Sequence, residues 1–409
     1  MYAPDKQQPA ADAAGRRPTR VAVVLVSPGL GGTERRLASL TRYLRHTDDK
    51  QLAFVINDEL LGLLERVGLT IECESVVLRS WFGPASAPAE RLLSLASRAM
   101  RKMRTVANHL LLSAQLGLVL ARLRPDVIQL VMPSALLMFV PYLLWNRAAL
   151  VVSLVGELGF LPSMSVMARW ALRLNLGRAD MVDALSAELR DLAVVEHLVP
   201  AERIRVQDSF VECDKFVPAS EKVRSVVFAA RLIPDKNPLL FLEAVPELIR
   251  VLGSDVRCFL FGAGPLERAV RSKIAELGIG SYVTTGFQAN IGDVLSRSMV
   301  FCSLQGRENY PSRSLLEAMA CGNAIVATDV GMTHKLVDCR TGIRVPATSK
   351  AIADAVIQLL DDPEHALELG RAARELVVRE FSPERYRARL MNVYDDALRA
   401  RDTGQYDAG

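Results

Sequence analysis

The chain has 409 residues, half of them hydrophobic, with 50 Lys and Arg against 46 Asp and Glu and a net charge of +4. That length favours two cores over one, and so small a surplus of positive charge is no electrostatic footprint for nucleic acid. The six cysteines (Cys73, Cys213, Cys258, Cys302, Cys321 and Cys339) are scattered without a Cys-x-x-Cys pair, which speaks against structural zinc and fits buried thiols in a reducing compartment.

Residues 1–18 are rich in Ala, Pro and Gln and carry no apolar segment after Arg16-Arg17, so they read as a disordered tail and not as a secretory signal. Val21–Val26 then forms an apolar strand, followed by the turn Ser27-Pro-Gly-Leu-Gly-Gly32 and a helix with Leu37, Leu40 and Leu44 on one face. Gln51–Ile56, Val127–Val131, Leu150–Val155 and Met181–Ala184 are further strands. The run Val127–Leu144 is long enough to suggest a membrane span, but Gln129, Pro133 and Pro141 interrupt it. It reads instead as a buried strand and a helix from Ser134.

A second series of short apolar strands begins after Pro218: Val226–Ala230, Val256–Phe261, Tyr282–Thr285, Met299–Ser303 and Ala324–Ala327. Helices fall between them at Pro238–Leu252, Pro265–Leu277, Ile291–Ser296, Leu315–Cys321 and Ala351–Leu360, and two long helices, Pro363–Phe381 and Pro383–Ala400, close the chain. The fold class is α/β, with two Rossmann-like doubly wound domains facing across a cleft. The expected boundaries are 19–217 for the first domain and 218–381 for the second, with a last helix at 382–400.

In such sheets ligands lie beyond the carboxyl ends of the strands, so the loops that follow strands carry the chemistry. Gly29-Leu-Gly-Gly-Thr-Glu34 lets a ligand approach backbone N–H groups at Gly31 and Gly32, but Glu34 stands where a dinucleotide fingerprint needs its third glycine. Asp58, after the second strand, would be the matching ribose carboxylate. Arg231-Leu-Ile-Pro-Asp-Lys236 sets two cations on one loop, suited to the charge that develops on a diphosphate leaving group. Phe261-Gly-Ala-Gly-Pro265 permits close backbone approach at Gly262 and Gly264, or is a tight turn with proline opening a helix.

The segment from Glu308 to Gly322, Glu-Asn-Tyr-Pro-Ser-Arg-Ser-Leu-Leu-Glu-Ala-Met-Ala-Cys-Gly, places two carboxylates about a polar turn that opens a helix. Helix starts attract phosphate and carboxylates accept from sugar hydroxyls, a combination that points to a nucleotide-sugar site. The same residues also read as a capping box, with Ser314 as N-cap and Glu317 three residues on.

Taken together, these loops resemble the retaining glycosyltransferases of the GT-B fold, in the GT4 family (glycosyl transferases group 1). The resemblance covers nearly the whole chain after the tail and is strongest from Val226 to Leu398. It rests on Gly31-Gly32-Thr-Glu34, Ala-Arg231-Leu-x3-Lys236, Gly262-x-Gly-Pro265, the run from Glu308 to Gly322, and Asp329-Val-Gly331. It implies that Arg231 and Lys236 hold the donor diphosphate and take part in catalysis with Glu308, which faces the donor sugar. Glu317 would bind the ribose, Ser312, Arg313, Ser314 and Gly32 would complete the phosphate cradle, and Gln288 would read the base. It also implies retention of configuration, no metal and no cofactor beyond the donor, and a last helix that crosses back to the first domain.

The chain departs from the family pattern twice. Glu308 and Glu317 are nine positions apart instead of eight, with Asn309 at the family's position, and Val155 stands where a histidine is expected. From Arg91 to Arg124 seven cations and no acid interleave with apolar residues. Such a helix suits peripheral contact with an anionic membrane and hence a lipid-linked acceptor, or else buries its apolar stripe in the core. The reading is a nucleotide-sugar-dependent hexosyltransferase of polysaccharide or glycolipid assembly, in the cytoplasm or peripheral on the inner face of the plasma membrane. A nucleotide-sugar epimerase of the same fold and a non-catalytic scaffold subunit are the alternatives.

Overall fold

Parallel strands buried on both faces need uninterrupted apolar runs, and these runs organise the structure. It is a computed structural model that describes residues 17–45, 49–80, 98–131, 133–155, 166–196, 198–288, 290–307 and 310–403. The chain divides into two units, one formed by 1–207 with 387–409 and the other by 208–386.

The first unit runs β1 (Thr19–Leu25), α1 (Gly32–Leu44), β2 (Lys50–Asn57), α2 (Asp58–Arg66), β3 (Glu74–Leu78), α3 (Arg98–Leu123), β4 (Val127–Val131), α4 (Pro133–Phe139), β5 (Ala149–Leu154), α5 (Val166–Arg178), β6 (Met181–Ala184), α6 (Ala187–Val195) and β7 (Ile204–Val206). Its seven strands are all parallel, in the order β3-β2-β1-β4-β5-β6-β7. The run Val127–Leu144 is thus a strand followed by a short helix. Among the described residues, the helix that has the length and apolarity of a span is instead Thr105–Leu123, within α3.

The second unit continues with β8 (Val223–Ala229), α7 (Pro238–Leu252), β9 (Arg257–Phe261), α8 (Glu267–Glu276), β10 (Val283–Gly286), α9 (Gly292–Arg297), β11 (Ser298–Ser303), α10 (Arg313–Ala320), β12 (Ala324–Thr328), β13 (Gly342–Val345), α11 (Ser349–Asp361) and α12 (Pro363–Glu380). Its six parallel strands have the order β10-β9-β8-β11-β12-β13. Alternation along the strands divides the core: Val226 and Phe228 join α7 and α11 on one face, while Val227 joins α10 and α12 on the other. Residues before Pro218 already belong to this unit, since the Val211 amide donates to Phe381 O (2.9 Å) and Arg374 to Phe216 O (2.8 Å).

Helix α13 (Pro383–Asp402) follows, and its residues from Arg387 onward belong to the first unit. Tyr394, fully buried, donates its hydroxyl to Gln129 Oε1 in β4 at 2.6 Å. Gln129 in turn donates to Ser153 Oγ in β5 at 2.7 Å, and Ser153 to Asp183 in β6 at 3.2 Å. Asp183 is wholly buried, and burial pushes its carboxyl up to about 6 against the opposing pull of Arg36 on α1.

Candidate functional site

Strand order in the second unit reverses between β8 and β11. Loops leaving the carboxyl ends of two such strands diverge and open a crevice. The β8 loop carries Arg231 and Lys236, and the β11 loop leads through Gln305 to the start of α10. The two loops are stitched together. Lys236 donates its ammonium to Gln305 Oε1, the Gly306 amide donates to Asp235 O at 2.7 Å, and Arg307 pairs with Asp235. Asn237, in the left-handed region at φ 51°, donates its side-chain amide to Leu304 O at 3.1 Å. Arg231 is exposed on the same loop. One cation, Lys236, is therefore tied to the loop that leads to the start of α10, and a second, Arg231, is exposed on the same β8 loop. Cations and helix-start N–H groups are the donors that suit a diphosphate.

Glycines Gly262 and Gly264, in the loop after β9, support that cation loop from behind. A Cβ on Gly262 would lie 1.9 Å from Ala230 O, and one on Gly264 would lie 2.6 Å from Leu232 O. The contact is sealed by Leu232 N–H to Ala263 O (3.0 Å) and Leu266 N–H to Leu232 O (3.0 Å). The close backbone approach foreseen there is therefore made to the Arg231 loop itself.

The start of α10 corrects the capping-box reading. Ser312 is the N-cap, Arg313 opens the helix and Ser314 lies inside its first turn. Glu317 does not reach back to a backbone N–H of the N-cap. Its Oε1 accepts from Arg313 Nε at 2.8 Å, one helical turn earlier. Burial raises the pKa of Glu317, opposed by Arg313 and Lys215. The hydroxyls of Ser312 and Ser314 lie 3.5 Å apart. Gly322, at φ 68°, ends the helix as expected. Gln288 is exposed beyond β10 and donates to Asn290 O at 3.3 Å. Glu308 and Asn309 lie outside the described residues. The contribution of Asp235, Asn237 and Gln305 to the stitching was not read from the sequence, because each acts through a partner about 70 positions away.

In the first unit Gly31 caps α1 and Gly32 opens it, both exposed. Glu34, in the third-glycine position, is buried and holds the loop: its two oxygens accept from Gly31 N–H (2.9 Å) and Ser27 Oγ (2.7 Å). Asp58 is occupied by Ser80, whose amide and hydroxyl donate to it at 3.1 and 2.7 Å. A ribose would have to displace that pair, so the dinucleotide fingerprint loses its carboxylate as well as its third glycine. The Val155 carbonyl accepts from Thr33 Oγ1 at 3.4 Å.

Solved structures of similar shape share this architecture. The chain superposes on Anabaena HepE, crystallised with UDP and glucose, with a TM-score of 0.69 at 18% identity over 92% of this chain and 99% of that one. It also superposes on sucrose-phosphate synthase of Thermosynechococcus elongatus, with a TM-score of 0.67 at 17% identity over 93% and 100%. The fold is GT-B. Within it, residues 212–376 match the family model of glycosyl transferases group 1. Curated relatives of the GT-B chain include alpha-D-kanosaminyltransferase of Streptomyces kanamyceticus, 29% identical over 56% of this chain and 63% of that protein. A GDP-mannose-dependent phosphatidylinositol monomannoside mannosyltransferase of Mycolicibacterium smegmatis is 29% identical over 58% and 68%. The N-acetyl-alpha-D-glucosaminyl L-malate synthase of Bacillus anthracis is 25% identical over 64% and 71%. The match thus spans between three fifths and three quarters of these proteins, and it supports a glycosyltransferase of the GT-B fold.

Proposed function

We propose that the chain is a GT4-type enzyme that moves a hexose from a nucleoside-diphosphate sugar to an acceptor hydroxyl with retention of configuration. The observation that carries this reading is the hydrogen bond from Lys236, on the loop that also holds Arg231, to Gln305 on the loop that leads to the start of α10, at the β8–β11 reversal. Lys236 and Arg231 would hold the diphosphate and stabilise its charge as the bond to the sugar breaks. N–H groups at Ser312 to Ser314 would complete the cradle. Glu317 would accept from the ribose hydroxyls once Arg313 shares it, Gln288 would meet the base, and Glu308 or Asn309 the sugar. The acceptor oxygen would add to the sugar on the face that the diphosphate leaves.

A lipid-linked or polysaccharide glycan is the proposed acceptor, reached in the cytoplasm at the inner face of a membrane through 91–124. Relatives carry lipid or small-molecule acceptors in their names, among them phosphatidylinositol monomannoside, L-malate and 2-deoxystreptamine, which supports the reaction more than any one acceptor. The test is thermal unfolding against UDP, GDP, ADP and NAD, with Lys236→Ala in parallel. A ligand at about a hundred times its dissociation constant adds roughly 2.7 kcal/mol. We expect a shift with one nucleoside diphosphate, lost in the variant. No shift with any diphosphate would favour a scaffold role, and a shift with NAD alone would overturn the reading.

A further inference from the structure

Helices α3, α4 and α5 lie side by side on one face of the first sheet. Leu112 and Leu116, Leu136 and Phe139, and Leu172 and Leu176 all enter the same core cluster with Ile128, Leu130 and Val152 of the strands. Their opposite faces therefore share one outward surface. A surface helix normally turns charged residues outward. Between Thr105 and Ala121, α3 has no Lys, Arg, Asp or Glu, and its exposed positions include Val106, Ala107, Leu110, Ala114 and Leu118. On α5 the outward residues are Val166, Met167, Trp170 and Leu174 with Arg173. Leu144 and Trp145 stand in the turn after α4, exposed by 72% and 76%. Nine of the seventeen large apolar side chains exposed among the described residues thus fall between 106 and 174, where isolated ones would be expected to scatter.

Charge is gathered in the same stretch. From Arg98 to Arg178 the sequence holds ten Lys and Arg against two acids, Asp126 and Glu157. This surplus of eight exceeds the chain's total of +4, so the remaining residues carry a net charge of −4. At the C-terminal end of α3 a groove of about 600 Å³ is lined by Gly117, Tyr142, Trp145, Arg124 and Arg147 among others. Tyr142 fixes its wall by donating to Ser113 O at 2.6 Å, in contact so close that a Cβ on Gly117 would meet the phenol oxygen at 2.5 Å.

We propose that this face docks on an anionic lipid bilayer, with α3 lying in the interface and the groove at its end receiving a phospholipid headgroup. Apolar side chains bordered by arginines and tryptophans match the acyl boundary and the phosphates above it. A second copy of the chain fits poorly, because it would bring its own exposed Arg124, Arg147 and Arg173 against the same three arginines. Helix α3 lies on the bilayer and does not cross it. It is tied to its own fold by Ser113 Oγ to Met138 O (2.8 Å) and by Gln115, which both accepts from and donates to the Arg79 backbone at 2.9 Å. The inference deepens the membrane contact proposed through 91–124 and rests on it, while the nucleotide site is independent of both.

The test is cosedimentation of the full chain with vesicles of phosphatidylcholine alone and with about a third phosphatidylglycerol. The double variant Leu110→Glu with Leu118→Glu, and Arg147→Glu, are run alongside. Both sets of substitutions fall on exposed positions or the groove, so the unfolding midpoint and its shift with nucleoside diphosphate serve as the check on folding. We expect binding to the anionic vesicles, weakened by salt, with a blue shift of tryptophan fluorescence, and about a tenfold loss in either variant. Three outcomes overturn the proposal: no vesicle binding by the unaltered chain, binding that the double variant leaves unchanged, or a dimer in light scattering that the double variant splits. A nucleotide shift that survives failed vesicle binding removes the docking face alone. Vesicle binding without a nucleotide shift removes the donor site alone.

Discussion

Lys236 gives a hydrogen of its ammonium to the side-chain carbonyl of Gln305, joining the loops that leave β8 and β11. The amide is neutral, so this hydrogen bond orients the ammonium without a counter-charge of its own. Gln305→Glu keeps the size of the side chain but sets a counter-charge on the lysine. We expect donor binding to weaken about tenfold, roughly 1.4 kcal/mol, with turnover at saturating donor less affected. Lys236→Ala should cost more, about a hundredfold in kcat/KM. Steady-state kinetics with the nucleotide sugar identified by thermal shift would measure both, and equal kinetics for Gln305→Glu and the unaltered chain would deny the amide this role.

Gly262→Ala tests the support beneath Arg231. Its new methyl group would fall on Ala230 O, a backbone atom that has no rotamer by which to withdraw. The substitution should cost about 3 kcal/mol in denaturant unfolding and should also weaken diphosphate binding, because the displaced segment carries the arginine. Full stability with lost binding would point to a direct role for Gly262 at the ligand instead.

The buried chain of Tyr394, Gln129, Ser153 and Asp183 makes stability depend on pH. Asp183 gives up its proton near its ordinary 3.8 when unfolded and near 6 when folded. Between these values the folded state holds the extra proton, so stability falls as pH rises from roughly 4 to 6 and then levels off. Asp183→Asn should remove that slope. Urea midpoints of both chains across the window would show it, and parallel profiles would exclude Asp183 as the source.

Glu34→Ala should release Gly31 N–H and Ser27 Oγ together. Losing a buried carboxylate that satisfies two donors costs about 2 kcal/mol, read as a lower unfolding midpoint. Amide exchange at Gly31 should quicken in the same variant, and unchanged protection there would show that the loop is held by other contacts.

Central strands were legible in the sequence because both of their faces are buried, as in Val127–Val131 and Ala324–Thr328. The unread strands β3, β7 and β13 are edge strands. With one side open to solvent they tolerate Glu74, Arg205 and Arg344, and no apolar run marks them. The loops that carry Arg231, Lys236 and Ser312 were legible for a related reason, since glycine, proline and serine have fixed uses at strand-to-helix turns. Side-chain partnerships were not. Whether Glu317 accepts from the N-cap backbone or from the Arg313 side chain depends on where the first turn begins, and a shift of two residues decides it. The outward apolar face of α3 was hidden too, because periodicity reveals a stripe but not the side on which a sheet lies.

Helix α13 has a consequence for the order in which the protein is made. The first unit holds the start of the chain, yet its buried Tyr394 and Ala397 come from the end. During synthesis the 179 residues of 208–386 emerge before that helix does, so the second unit can close while the first still lacks a piece of its interior. Domains ordinarily mature from the amino terminus forward. Here the unit whose strands emerge first closes its core only after residues 208–386 have emerged, and a ribosome that stops short of Tyr394 leaves that core unfinished.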